Sequence, residues 1–288
     1  EQAVVISHEL SAYIKEDWNF DILSGVAGVI PVMLGLAEAT SGAEGLACAH
    51  CCAQHLLQRA EREGKSLSWP LTHPEEARAN LTGFAHGAGG IGWALISLGC
   101  ATNRSDYIEA GRQGFAYEAL HFDSHVQDWY DLRIRGVAAD QNGQHFANAW
   151  CNGAAGIGLS RVASWAMLGK NDDDLLNEAY QALAATLRNF PKLGNDTLCH
   201  GKAGNAEFLL RFARLTDEPA FQVEANVQAQ VQWRHFEKVH NWTFGGMSSG
   251  VLPGLMIGLA GLGMHFLRLA CPDRVPSPLL LDSPLKDY

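Results

Sequence analysis

Three short stretches of the chain put reactive side chains directly in front of a glycine: Ala85-His86-Gly87, Cys151-Asn152-Gly153 and Cys199-His200-Gly201. A thiolate from one stretch, with a thiolate and an imidazole from another, makes a soft-to-borderline donor set that suits zinc. Structural zinc sites take four ligands in close-set pairs. Here two adjacent ligands and one far upstream leave a fourth position for water or substrate, which is the catalytic arrangement. Two thiolates also offset the ion's charge, weakening its acidity toward water and suiting it to holding another thiolate. Spacing alone leaves a second reading open, in which Cys151, Cys199 and His200 are small buried polar residues at tight helix entrances. His86 titrates near neutral pH and is a candidate acid or base. A lone histidine beside glycines is more often a cap or core residue, but His86 falls in register with the donors, which favours chemistry. Asp21, just ahead of Gly25, is either an N-cap carboxylate or the partner that orients an imidazole or a substrate proton.

That register comes from a repeat. Gly25-Val-Ala-Gly28, Gly87-Ala-Gly-Gly90, Gly153-Ala-Ala-Gly156, Gly201-Lys-Ala-Gly204 and Gly258-Leu-Ala-Gly261 are five copies of one pattern, each running into a helix-length apolar segment. They draw on a pool of 30 glycines in 288 residues, above the usual roughly 7%. With only 10 prolines and no Gly-X-Y period, collagen and low-complexity readings fail. Glycines three apart at a helix entrance allow a sharp turn and close approach of a neighbour. Aligned on the first glycine, the copies place Leu23, Ala85, Cys151, Cys199 and Met256 two positions ahead, and Ser24, His86, Asn152, His200 and Ile257 one ahead. The middle copies carry the chemistry and the last is inert. Between copies, apolar spacings of three and four predict further helices over 43–63, 105–121, 172–190 and 218–236, with Ser105, Asp172 and Asp217-Glu-Pro219 as start signals. Copies roughly 50 to 65 residues apart exceed tetratricopeptide and armadillo units. The fold expected is all-α: one domain over 1–288, an α/α toroid of helical hairpins with buried, glycine-rich inner helices, closed or partly closed.

Composition narrows the partners. Against 21 basic residues stand 31 acidic ones, a net charge of -10, which disfavours nucleic acid and anionic membrane surfaces. Seven cysteines without regular spacing point to reduced thiols in the cytoplasm. The apolar stretches 22–37 and 251–267 are broken by Gly and Pro and fall short of the roughly 20 residues a bilayer requires. Cys48-Ala-His-Cys51-Cys52 with His55 mimics a metal motif but lies in an Ala- and Leu-rich outer helix and reads as structural. His121, His125, His145, His235, His240 and His265 have no partner in the column and read as surface or satisfied core residues. Polar loops over 69–82 and 123–149 are positioned to shape a peptide-binding surface. The chain opens on Glu1, with an apolar-periodic run (Val4, Val5, Leu10, Ile14) already under way, and so reads as a piece of something longer.

At these residues the chain resembles the lanthionine synthetase C-like cyclases, most closely the C-terminal cyclase domain of class II (LanM-type) lanthipeptide synthetases. The resemblance, over about 19–282, rests on Thr82-Gly-Phe-Ala-His86-Gly-Ala-Gly-Gly, Trp150-Cys151-Asn-Gly-Ala-Ala-Gly, Leu198-Cys199-His200-Gly-Lys-Ala-Gly, Asp21-Ile-Leu-Ser-Gly-Val-Ala-Gly, Gly254-Leu-Met-Ile-Gly-Leu-Ala-Gly and the closing Arg274-Val-Pro-Ser-Pro. It implies zinc held by Cys151, Cys199 and His200, with His86 and Asp21 managing protons. The reaction implied is Michael addition of cysteine thiols of a dehydrated precursor peptide to dehydroalanine or dehydrobutyrine. It also implies further hairpins and an N-terminal dehydratase domain ahead of Glu1. One departure stands out: free-standing relatives carry an Arg where Ala147 stands, and Arg161 is a weak candidate for its anion-stabilising role. The competing readings are a non-catalytic, zinc-stabilised peptide- or thiol-binding module, a prenyltransferase-like α/α-toroid zinc enzyme, and a glycosidase with paired acids.

Overall fold

The computed structural model describes residues 2–40, 42–70, 80–134, 146–244 and 252–283. The five glycine copies open the helices α2 (Val26–Thr40), α4 (Ala88–Thr102), α6 (Ala154–Met167), α8 (Lys202–Thr216) and α10 (Leu259–Ala270). These neighbour one another in that order. Against them pack α3 (Ala43–Arg59), α5 (Ser105–Ala119), α7 (Asp173–Asn189) and α9 (Pro219–Val239), with α1 (Gln2–Tyr13) lying on α3. The result is the predicted α/α toroid. Every residue of α4 from Ala88 to Gly99, and of α6 from Ala154 to Trp165, is buried, while α7 buries Leu175, Ala179, Ala182, Leu183 and Thr186 along one face. That contrast, burial all round against a single stripe, sets α4 and α6 apart from the outer α7, whereas α2 and α10, at the two ends of the row, bury only Val26, Ala27, Ile30 and Met33, and Gly261, Leu262, His265 and Arg268.

The second glycine of each copy explains why the motif repeats. A Cβ at Gly28, Gly90, Gly156, Gly204 or Gly261 would be driven into the carbonyl oxygen of Ile22, Phe84, Trp150, Leu198 or Leu255, six residues upstream in every case. The entrance loop folds back against its own helix, and only a residue without a side chain lets it close. Gly83 (φ +103°) and Gly153 (φ +113°) add the left-handed backbone that favours glycine.

Three start and stop signals differ from expectation. Helix α3 ends at Arg59, and Glu61–Glu63 forms β1, paired antiparallel with β2 (Ser66–Ser68) around Gly64 at φ +58°. Arg104 is the N-cap of α5, making Ser105 its first helical residue. Asp217 closes α8 in the left-handed region (φ 60°), leaving Pro219 to begin α9. Asp172 does cap α7, accepting the Leu175 N–H at 3.1 Å.

Buried charge ties the layers together. Arg161 on α6 donates to Glu118 on α5 (2.7 Å) and Glu178 on α7 (2.6 Å), and Arg268 on α10 to Glu207 on α8 (2.8 Å). Each is fully or nearly buried apart from Glu178, so removing one partner would strand the other. At the C-terminal end Leu279 and Leu280 enter the core, and Trp150 Nε1 donates to the Leu279 carbonyl at 3.1 Å. No helix among the described residues is long and apolar enough to cross a membrane.

Candidate metal centre and active site

The alignment on glycine corresponds to a continuous main-chain ladder. Leu23 N–H donates to Ala85 C=O (3.2 Å), Ala85 N–H to Cys151 C=O (3.1 Å), Cys151 N–H to Cys199 C=O (3.2 Å), and Cys199 N–H to Met256 C=O (2.9 Å). Every rung joins the residue two ahead of one first glycine to its equivalent in the next copy. Side chains at adjacent positions of neighbouring turns are thereby brought together without any side-chain contact having to do the joining.

On this ladder Cys151, Cys199 and His200 converge, with their ligand atoms all within 4.8 Å of one another. Cys151 is buried and the other two are half-buried. Both cysteines are free and their thiols are hydrogen-bonded to each other: that bond and Arg133 hold the Cys151 thiol down to about 6 against burial, while the same hydrogen bond and burial push Cys199 strongly up. A divalent cation between them would let both sulfurs ionise. Burial, and then Arg133, lower His200, which keeps the imidazole neutral as a ligand must be. Two thiolates and a neutral imidazole at these separations fit a zinc ion with one position open.

His86 stands one rung from Cys151. Its Nδ1 meets Asp21 Oδ2 at 2.8 Å, with the imidazole 30% and the carboxylate 3% exposed. The Asp21 bond raises His86 above its ordinary value, against burial. Asp21 in turn accepts the Ser24 N–H at 2.6 Å, so it caps its own turn and orients the imidazole of the next. The turn carrying Cys199 and His200 is braced by Asn195, whose Oδ1 accepts from Thr197 Oγ1 (2.8 Å) and whose Nδ2 donates to the His200 carbonyl (3.1 Å).

Arg161 is not at this site. It is 0% exposed and paired with Glu118 and Glu178, so it has no role at the mouth. Among the described residues, the cation whose charge acts on Cys151, Cys199, His86 and His200 is Arg133, which sequence reasoning missed. It lies in the 3-10 turn Leu132–Ile134, far from the glycine turns in sequence, and no local motif marks it. Asp131 grips it through Nε (2.9 Å) and Nη2 (2.7 Å). Of the six histidines set aside, His125, His235 and His240 are exposed. His265 is buried, its Nε2 has no partner among the described residues, and burial pushes it down to about 4, so it belongs to the core without being satisfied by those residues. His145, and the stretches 71–79 and 135–145 of the two candidate peptide-binding loops, lie outside the described residues. In the decoy, Cys48 and Cys52 are buried, free and hydrogen-bonded to each other, and Cys51 is exposed. Cys151, Cys199 and His200 form the one cluster of metal-ligand type among the described residues.

The sequence model of lanthionine synthetase C-like proteins matches residues 5–280. The chain belongs to the lanthionine synthetase C-like family. Solved structures agree on the fold. Nisin cyclase superposes with a TM-score of 0.63 at 19% identity, covering 93% of this chain and 68% of that one. The Lin0763 protein from Listeria innocua does so at 0.54 and 13%, covering 82% and 68%. A sugar epimerase from a ruminal bacterium follows at 0.53 and 10%, covering 72% and 58%. The toroid alone therefore does not choose the chemistry. No curated protein sequence matches.

Proposed function

We propose that the chain is a zinc-dependent lanthipeptide cyclase. It would add cysteine thiols of a dehydrated precursor peptide to dehydroalanine or dehydrobutyrine, closing lanthionine or methyllanthionine rings. The observation that carries this reading is the juxtaposition, in a member of the family, of Cys151, Cys199 and His200 with the His86–Asp21 pair. Bound there, zinc would supply a Lewis acid that favours the thiolate form of the peptide cysteine.

The chain's own residues account for the protons. Asp21 fixes the His86 Nδ1, which leaves Nε2 to accept the proton of the incoming thiol. Sulfur then attacks the β-carbon of the dehydro residue, forming the C–S bond. The alkene π pair moves onto the α-carbon and its carbonyl oxygen as an enolate, and the imidazolium returns its proton to the α-carbon. The thiol hydrogen ends on carbon, and no oxidant or reductant is consumed. A raised His86 value suits a group that must hold that proton between the two transfers. A glycosidase would require two acids at the mouth; Asp21 is the acid of the aligned column, and it is bonded to His86.

Within the family the LanM-type motifs favour a cyclase domain that works beside a dehydratase domain, on a precursor already dehydrated, in the cytoplasm. The test is to load the purified chain with zinc, add pre-dehydrated precursor peptide and count free thiols over time. Falling thiols with unchanged peptide mass support the reading. Constant thiols on a zinc-loaded chain would sink it in favour of a non-catalytic zinc-stabilised binding module.

A further inference from the structure

The residues three positions ahead of each first glycine form a register of their own: Ile22, Phe84, Trp150, Leu198 and Leu255. Of these five, Trp150 alone carries a polar side-chain atom. It is 3% exposed and directly precedes Cys151. A buried indole N–H requires an acceptor. Trp150 Nε1 finds one 129 residues along the chain, at the Leu279 carbonyl. Its ring also packs on Phe84, with centroids 5.6 Å apart, just ahead of Ala85 and His86.

Leu279 lies on a strap, 277–283, that follows α10 and returns across the inner helices. Leu279 and Leu280 are buried in the common core. Asp282 closes the strap on itself, its Oδ2 accepting the Ser277 N–H (3.1 Å) and its own N–H donating to the Ser277 carbonyl (3.1 Å). The same carboxylate pairs with Arg211 on α8. Leu281 and Ser283 share the wall of one cavity with Gly35 of α2, Trp93 of α4 and Met167 of α6. The strap is therefore held by several inner helices, and its hydrogen bond to a glycine turn goes to Trp150.

We propose that the strap 277–283 positions the metal centre, by holding the Trp150 indole and so fixing the turn from which Cys151 presents its sulfur. Trp150 and Cys151 share a planar peptide unit, so an indole anchored at its far end sets the direction in which the next Cα–Cβ bond leaves. The ladder fixes where each turn sits; the strap adds a fixed orientation at the Cys151 turn. Zinc tolerates only about 0.2 Å of misplacement in its ligands, so a small swing is felt. Trp150 is thus a positioning residue that acts through Cys151, and the closing motif 274–282, unused by the reaction, gains a role. The inference rests on reading Cys151, Cys199 and His200 as a zinc site.

The experiment measures zinc affinity by chelator competition, and the absorption bands of the cobalt(II)-loaded protein, for the parent chain, Trp150→Phe, Asp282→Asn and the double variant. Trp150→Phe keeps a ring but loses the N–H, and should bind zinc about tenfold more weakly, with shifted cobalt–thiolate bands. Asp282→Asn should weaken zinc in the same direction by less. The double variant should bind no more weakly than Trp150→Phe, because the strap works through the Trp150 bond. Leu183→Val, a core change on α7, should leave zinc affinity at the parent's value. Trp150→Phe with zinc affinity within twofold of the parent and an unchanged cobalt spectrum overturns the inference. Single losses that multiply in the double variant, or an equal loss in Leu183→Val, also overturn it, since either marks general loosening. If Trp150→Phe does not fold, Asp282→Asn decides: weaker zinc supports the inference and parent-like zinc refutes it. A parent that takes up neither metal fails the zinc reading and this inference with it, whereas a parent that binds beside an equally tight Trp150→Phe refutes the inference alone.

Discussion

The third and fourth glycine turns and the fifth share a backbone and differ in everything they hold up. Cys199 and Met256 lie on one rung, joined through the Cys199 N–H and the Met256 carbonyl at 2.9 Å, and both follow the same fold-back over a glycine. One offers a thiol and an imidazole to the mouth; the other offers Met256 and the exposed Ile257. The turn is thus a carrier, indifferent to the side chain it presents. What makes a site is the coincidence of reactive side chains on consecutive carriers.

The largest effect that would test this contrast comes from the ligands. Cys151→Ala or Cys199→Ala should abolish zinc retention and cut thiol consumption by more than the ~100-fold typical of outer-shell changes, while Met256→Ala should keep both near the parent. Metal analysis paired with thiol counting decides it, and a Met256 variant that loses zinc would end the distinction between carrier and cargo. Next comes His86→Asn, which should lower kcat by about 10²- to 10⁴-fold with zinc content unchanged. Loss of metal from that variant would move His86 from proton handling to ligand support.

The carrier itself is tested by stability. Gly156→Ala sets a Cβ against the Trp150 carbonyl and the Phe84 side chain, and should cost about 3 kcal/mol. Gly263→Ala, inside α10 with nothing within 4 Å, should instead stabilise by about 0.5–1 kcal/mol. Denaturant midpoints of equal size and sign for the two would contradict the fold-back argument. The smallest effect concerns Asp21. The carboxylate raises His86 above 6.5, so the pair contributes stability that is complete below that value and fades as pH climbs through the raised one. In Asp21→Asn the His86 ring signal should titrate at lower pH, and the loss in Tm should be greater at pH 5.5 than at pH 9. A deficit that grows with pH would reverse the assignment.

Much of the site was legible because its determinants are local. The Gly-x-x-Gly pattern writes the turn into consecutive residues, so aligning copies by eye reproduces the register that the ladder enforces. Arg133 escaped because its approach depends on the path of a loop that returns over Thr82, which no periodicity encodes. Arg161 misled for the opposite reason: a charged residue in an inner helix looks functional until its partners Glu118 and Glu178, on two different outer helices, are seen. The strand Glu61–Glu63 continued a helical pattern on paper, and only its pairing with Ser66–Ser68 across Gly64 broke it.

The rungs run one way, amide to carbonyl, and are made wholly of main chain. A substitution at either of the two positions before a glycine leaves the hydrogen bond beneath it intact, so inheritance of the frame and choice of reagent are separable. A lineage can exchange what one turn presents without renegotiating its neighbours, and the inert pair Met256-Ile257 is as well mounted as the reactive pair Cys199-His200.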